Sequence, residues 1–211
     1  MPRPPSSRAL DAPGTATLEA STSATDVTPS ARERILRAAT DLFCRYGINA
    51  TGIDAIIERS GTAKATLYKA FGSKDALIEA VLATEGETWR QWFIGEIEAL
   101  PGGPREKLIG CFDVLRAWFA DEQYFGCPFI NAVGEFDKSN PRFKAIALGH
   151  KAVVMAYIGD LTRATGAVAP DQLAHQIGLL IDGAIVAAMI TGDPRMADYA
   201  QAAARDLLAD R

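Results

Sequence analysis

From Ser30 onward apolar side chains return every three or four positions along most of the chain, whereas before it they follow no period. Ile35, Ala38, Ala39, Leu42, Phe43 and Tyr46 fall on one helical face. Ser30 and Glu33 precede them at the spacing of a capping box, in which side chain and backbone satisfy each other's free donors. Gly47 supplies a left-handed stop. A second box, Thr51 with Asp54, leads into Ile53, Ile56 and Ile57, a short helix closing at Ser60-Gly61. Lys64 to Phe71 reads as another short helix. Gly72-Ser73 breaks the chain again, and Ser73 is placed to cap a long helix carrying Leu77, Ile78, Val81 and Leu82. An amphipathic helix, then two short helices across a tight glycine-containing turn, is the pattern of a helix-turn-helix lying between Ser30 and Phe71.

The remainder is helical too. Gly- and Pro-containing breaks at 101–104, 126–128, 140–141, 169–170 and 193–194 separate stretches near 104–121, 128–137, 141–165, 170–191 and 194–209. No strand pattern appears, so the expected fold is all-α with about nine helices. Residues 1–29, rich in Pro, Ser, Thr and Ala, bury too little apolar surface to offset ordering and read as a disordered tail. Arg3 and Arg8 in it are candidate arm residues for DNA, though a solvated tail is the simpler reading. The expected organisation is a tail over 1–29, a helix-turn-helix domain over 30–75, and a second helical domain over 76–211.

Composition narrows the class. The 211 residues are 48% hydrophobic and 23% charged, an ordinary soluble globular balance, with a net charge of -4. Between Ser30 and Ala80 eight bases meet six acids, a net of +2 on an otherwise acidic chain. That suits a protein presenting one end to DNA and excludes a polybasic binder. Cys44, Cys111 and Cys127 are widely spaced and His150 and His175 lack partners at ligand spacing. No disulfide framework, metal site or cofactor is therefore expected. No apolar segment follows Arg3 and Arg8 as in a secretory signal, and the run Ile177 to Ile190 is interrupted by Asp182 and too short to span a bilayer. A cytoplasmic protein without membrane contact is expected.

The segment Lys64 to Phe71 has the chemistry of a recognition helix: Lys64 and Lys69 are cationic, Thr66 donates or accepts, and Tyr68 offers ring and hydroxyl. Leu67 and Phe71 lie opposite and would anchor it. A short solvated surface helix fits the spacing equally well. Lys74 favours the first reading. A lysine in the first turn of a helix opposes the macrodipole, unless it and the free N–H groups hold an anion such as a DNA phosphate.

The runs Ile53-Asp54-Ala55-Ile56-Ile57-Glu58-Arg59-Ser60-Gly61 and Ala65-Thr66-Leu67-Tyr68-Lys69-Ala70-Phe71-Gly72-Ser73-Lys74 closely resemble the DNA-binding domain of the TetR family. In that family the Thr-Leu-Tyr-x-x-Phe-x-Ser-Lys pattern spans the recognition helix and the start of the next. The resemblance implies a homodimer on a palindromic double-stranded operator, a repressor released by a small-molecule effector. It implies Thr51, Lys64, Thr66, Tyr68, Lys69 and Lys74 as DNA contacts, mostly to phosphates. The chain departs from the family at Thr62, often aliphatic, and at Ala63, often a Ser cap. Losing that cap costs about 1 kcal/mol unless Thr62 replaces it.

Gly126-Cys127-Pro128-Phe129, Asn131, Glu135-Phe136, His150-Lys151 and Asp182-Gly183-Ala184 resemble one broad group of TetR-like ligand domains. The aromatic residues there belong mainly to the core. Trp89, Phe93, Phe112, Trp118 and Phe129, with Asp182, are the candidates to line a small-molecule pocket between helices. Cys127 beside Pro128 at a helix start invites a redox reading, and a small buried residue is the simpler one. The stretch Leu173 to Ile190 is apolar nearly all round and must be covered on both sides. Paired with the last helix, it would form an intersubunit four-helix bundle. Two other classes stay open: an enzyme on a helical bundle, for which Asp182, Glu135 and His150 are the only candidates, and an adaptor whose helix-turn-helix no longer binds DNA. No nucleophile elbow, phosphate loop or metal cluster supports the enzyme.

Overall fold

The computed structural model describes residues 29–135 and 141–209, and among these the chain forms nine α-helices and no strand. α1 (Ala31–Tyr46), α2 (Ile53–Ser60) and α3 (Lys64–Phe71) form the N-terminal unit, and α4 (Lys74–Ala99) leads out of it. α5 (Pro104–Phe119), α6 (Pro128–Glu135), α7 (Pro141–Ala164), α8 (Pro170–Thr191) and α9 (Met196–Ala209) follow. The tail expected over 1–29 lies outside the described residues except for Pro29, and so does Phe136 at the expected end of α6.

The caps at two helix starts form as the spacing requires. Ser30 N donates to Glu33 Oε2 at 2.7 Å and Glu33 N donates to Ser30 Oγ at 3.2 Å. Ser73 Oγ accepts from Ala76 N at 3.1 Å, opening α4. The box expected at Thr51 and Asp54 does not form. Gly52 holds the N-cap position of α2, without a side-chain cap bond. Thr51 is 3% exposed, and its hydroxyl lies 2.7 Å from Gly47 O and 3.3 Å from Leu42 O. The hydroxyl thereby ties the returning chain to the Gly47 carbonyl just past the end of α1.

α3 starts uncapped. Ala63 has the extended backbone of an N-cap, φ -85° and ψ 152°, and no side chain to use it. Thr62 does not stand in, because its Oγ1 lies 2.8 Å from Ser60 Oγ.

Two apolar cores result. Ile35, Ala39, Phe43, Ile56 and Leu67 from α1–α3 pack with Leu77, Ile78, Val81 and Leu82 of α4. Phe129 and Ala132 of α6 and Phe143 of α7 close that core from the C-terminal side. The second core gathers Trp89, Phe93 and Ile97 of α4 with Phe112 and Trp118 of α5, Ile158 of α7, Ile177 and Ile181 of α8, and Leu208 of α9. α4 therefore belongs to both.

The open cap at Ala63 gives a direct expectation. Ala63→Ser raises stability by about 1 kcal/mol, read as a higher urea midpoint at unchanged m-value. An unchanged or lower midpoint would show that the first turn of α3 is satisfied in another way.

Candidate functional site

α3 turns its two anchors inward. Leu67 is fully buried, and the Arg32 guanidinium lies 4.9 Å from the centre of the Phe71 ring. Lys64, Tyr68 and Lys69 are left outside, Tyr68 at 42% exposure, with Thr66 half-buried beside them. Among the described residues Lys64 meets only Asp54, at 3.5 Å and with both side chains largely exposed. Such a pair is worth little, so a phosphate readily replaces it. The basic groups of this face are thus presented rather than consumed.

Two expected contacts have work within the protein. Thr51 is buried and its hydroxyl is spent on α1 carbonyls, so that hydroxyl does not reach a surface partner. Lys74 Nζ donates to Ile48 O at 2.8 Å, which ties α4 to the loop after α1. The partner at the start of α4 is a carbonyl rather than the anion its position suggests. An ammonium has three donors, and this bond uses one.

A cavity of about 370 Å³ lies among α4, α5, α6, α7 and α8. Trp89, Trp118, Phe129, Ile130, Val154 and Ile185 form its apolar walls. Gly86 of α4 lets α6 approach closely, since a Cβ there would stand 2.7 Å from Phe129 Cζ. The charged or titratable side chains on its lining are Cys127, Lys144, His150, Lys151 and Asp182. Lys151 Nζ lies 2.6 Å from each Asp182 carboxylate oxygen.

His150 stacks on Phe129, ring centres 4.0 Å apart at 12°. Arg90 Nη1 lies 3.1 Å from its Nδ1. A guanidinium only donates, so Nδ1 accepts and the proton of the neutral ring sits on Nε2. Burial pushes the pKa of His150 down to about 4, and the charges of Arg90 and Lys151 push the same way. The ring is neutral at pH 7. Burial pushes the Cys127 thiol up to about 11, which outweighs its helix-start position and removes the thiolate that a redox role requires.

The N-terminal unit and the cavity are physically joined. Asn49, in the loop between α1 and α2, donates its backbone N–H to Glu135 Oε2 and its Nδ2 to Glu135 O, each at 2.8 Å. α6 therefore has Phe129 on the cavity and Glu135 on the N-terminal unit.

Residues 35–81 match the family described as bacterial regulatory proteins, tetR family, and residues 104–204 match the tetracyclin repressor-like C-terminal domain. The chain belongs to the TetR family. A TetR-family transcriptional regulator from Streptomyces coelicolor has a similar structure, with a TM-score of 0.78 and 26% identity, covering 85% of this chain and 95% of that one. A putative TetR-type regulator from Streptomyces avermitilis, 29% identical, gives a TM-score of 0.69 over 84% of this chain and 99% of its own. The regulator QacR of Staphylococcus aureus is 32% identical over 106 residues, 50% of this chain and 53% of QacR. TetR-family members and these relatives are transcriptional regulators rather than enzymes.

Of the pocket residues nominated from sequence, Trp89, Trp118, Phe129 and Asp182 line the cavity. Phe93 and Phe112 do not; they are fully buried in the C-terminal core. Phe93 sits one helical turn beyond Trp89 and stacks on it at 4.6 Å, so it backs the wall. The roles of Arg90, Lys151 and Asn49 were not legible in the sequence. His150-Lys151 was visible as a motif, but Lys151 meets Asp182 only through the packing of α7 on α8.

The lowered pKa of His150 has a defined consequence for acid stability. The folded form binds fewer protons than the unfolded chain between the ordinary value of 6.5 and about 4. Stability falls as pH drops through that window. His150→Phe, which keeps the stack on Phe129, is expected to shrink the loss of thermal midpoint between about pH 7 and 5. An identical loss in the variant would show that other groups carry it.

Proposed function

We propose that this TetR-family regulator is a repressor that binds a palindromic operator as a homodimer and is released when a small molecule enters the cavity. Residues 30–75 are the DNA-reading unit and residues 76–211 the sensing and pairing unit. The observation that carries this reading is the exposed Lys64–Tyr68–Lys69 face joined to an apolar cavity by α4 and by the Glu135–Asn49 bonds of α6. A ligand wedged against Phe129 shifts α6 and with it the loop before α2.

The DNA contacts proposed are Lys64, Thr66, Tyr68 and Lys69, with Lys74 adding its remaining donors. Thr51 acts by holding the end of α1. Half-sites about one turn of DNA apart, 34–36 Å, suit paired recognition helices.

The outer side of α8 and α9 is the proposed dimer face. Leu179, Ile190 and Tyr199 are exposed there, Ile190 at 75%, and nothing stands within 4 Å of a Cβ placed on Gly183. α8 is long and apolar enough to cross a membrane by length and composition. Its inner side, with Ile177, Ile181 and Ile185, is packed in the core. That leaves one apolar side to cover, and a second copy covers it without immersing the remaining helices in lipid. A DNA-bound regulator of this kind works in the cytoplasm.

Gel shifts with the DNA upstream of its own gene test the reading. Lys64→Ala with Tyr68→Ala is expected to weaken binding at least about tenfold, and the plot of log affinity against log salt becomes shallower by about 0.9 for each phosphate no longer neutralised. Unchanged binding would favour an adaptor that no longer uses this face. Leu179→Glu with Ile190→Glu is expected to give a folded monomer by light scattering, with operator binding abolished. A variant that stays dimeric would move the interface elsewhere.

A further inference from the structure

The residues lining the cavity carry more hydrogen-bond donors than acceptors. Trp89 and Trp118 are 7% and 1% exposed, and the indole Nε1 of neither finds a hydrogen-bond partner among the described residues. Both line the cavity, with ring centres 5.4 Å apart. A buried donor left without an acceptor is costly, and two neighbouring ones on a single cavity mark a place where an acceptor would be gained. His150 adds a third donor, because Arg90 occupies its Nδ1 and leaves the proton on Nε2. Lys144 and Lys151 add two ammonium groups. The carboxylate of Asp182 is the one acidic side chain on the described lining, and both of its oxygens are engaged by Lys151. With His150 neutral, the lining holds two positive charges against one negative.

The walls state the other half of the requirement. Trp89, Trp118 and Phe129 offer flat apolar faces, which favour a flat apolar partner. A cation would meet the ammonium groups and find an acceptor only by taking Asp182 from Lys151. A neutral hydrocarbon would fill the volume and leave the two indole donors unsatisfied. An anion satisfies both sets of groups.

We propose that the ligand of this cavity is a small aromatic carboxylate, its ring between the aromatic walls and its carboxylate accepting from the donor groups at the Lys151 and His150 side. The inference rests on the reading of the cavity as the effector site. Lys151 is the specificity residue. It exchanges one carboxylate partner for another, and because the Lys151 and Asp182 side chains are 37% and 42% exposed, the released Asp182 carboxylate meets solvent. Asp182 holds Lys151 in place while no ligand competes.

Isothermal titration of the full-length protein with naphthoate, naphthylmethylammonium and methylnaphthalene compares an anion, a cation and a neutral compound on one ring system. Naphthoate is expected to bind at least about tenfold more tightly than either of the others. Lys151→Met is expected to remove most of that margin while changing methylnaphthalene affinity by less than about threefold. Asp182→Asn, which frees Lys151, is expected to raise naphthoate affinity. A smaller margin, a preference for the ammonium or neutral compound, or no binding of any probe at about 1 mM overturns the proposal. A margin that survives Lys151→Met overturns the role of that lysine. Gel shifts on the same preparations separate the two readings. Operator binding without the naphthoate preference sinks the ligand class alone, and the preference without operator binding sinks the regulator reading.

Discussion

The 26 residues of α4 run through two apolar cores, and the rest of the molecule is arranged around that double burial. Leu77, Ile78, Val81 and Leu82 fix its first half among α1–α3, while Trp89, Phe93 and Ile97 fix its second half among α5, α7 and α8. At 1.5 Å per residue the helix is about 39 Å long, and packed interiors yield little to small strains. A displacement at Trp89 therefore cannot be absorbed locally. α6 makes a second, shorter connection in parallel, from Phe129 to Asn49 through Glu135. α4 and α6 thus both join the N-terminal unit to the elements that line the cavity.

That space is bounded by side chains whose polar groups are unevenly matched. Lys151 and Asp182 satisfy each other, and Arg90 satisfies one nitrogen of His150. Among the described residues the indole N–H groups of Trp89 and Trp118 find no acceptor. Burial keeps His150 neutral and Cys127 a thiol, so the cavity offers hydrogen-bond donors and two lysine charges but no nucleophile.

At the other end, the exposed face of α3 is held from behind. Leu67 and Phe71 bind α3 to the N-terminal core, and Thr51 and Lys74 secure the loop between α1 and α2 through backbone carbonyls. The uncapped start at Ala63 leaves the first turn of α3 as its least secured part. Lys64 stands in that turn, paired only with exposed Asp54.

The helices themselves were legible in the sequence, because helical period, capping boxes and Gly or Pro breaks are local properties read over a few residues. Ser30 with Glu33, Ser73 and Gly61 were correctly placed on those grounds, and the missing cap at Ala63 came from comparison with the family pattern. The Thr66-to-Lys74 pattern, being contiguous, also gave the family. Local rules misplaced Thr51, whose hydroxyl prefers the α1 carbonyls that the returning chain brings close to a helix start two residues ahead. They could not separate Trp89, which faces the cavity, from Phe93 one turn further on, because both satisfy the same apolar period. The joining of Lys151 to Asp182, Arg90 to His150 and Asn49 to Glu135 spans 31, 60 and 86 residues. The sequence by itself determined which segments are helices and which short face carries the bases. Only the tertiary structure decided which polar groups meet, because partners so far apart along the chain are brought together by helix packing and by nothing in their own neighbourhoods.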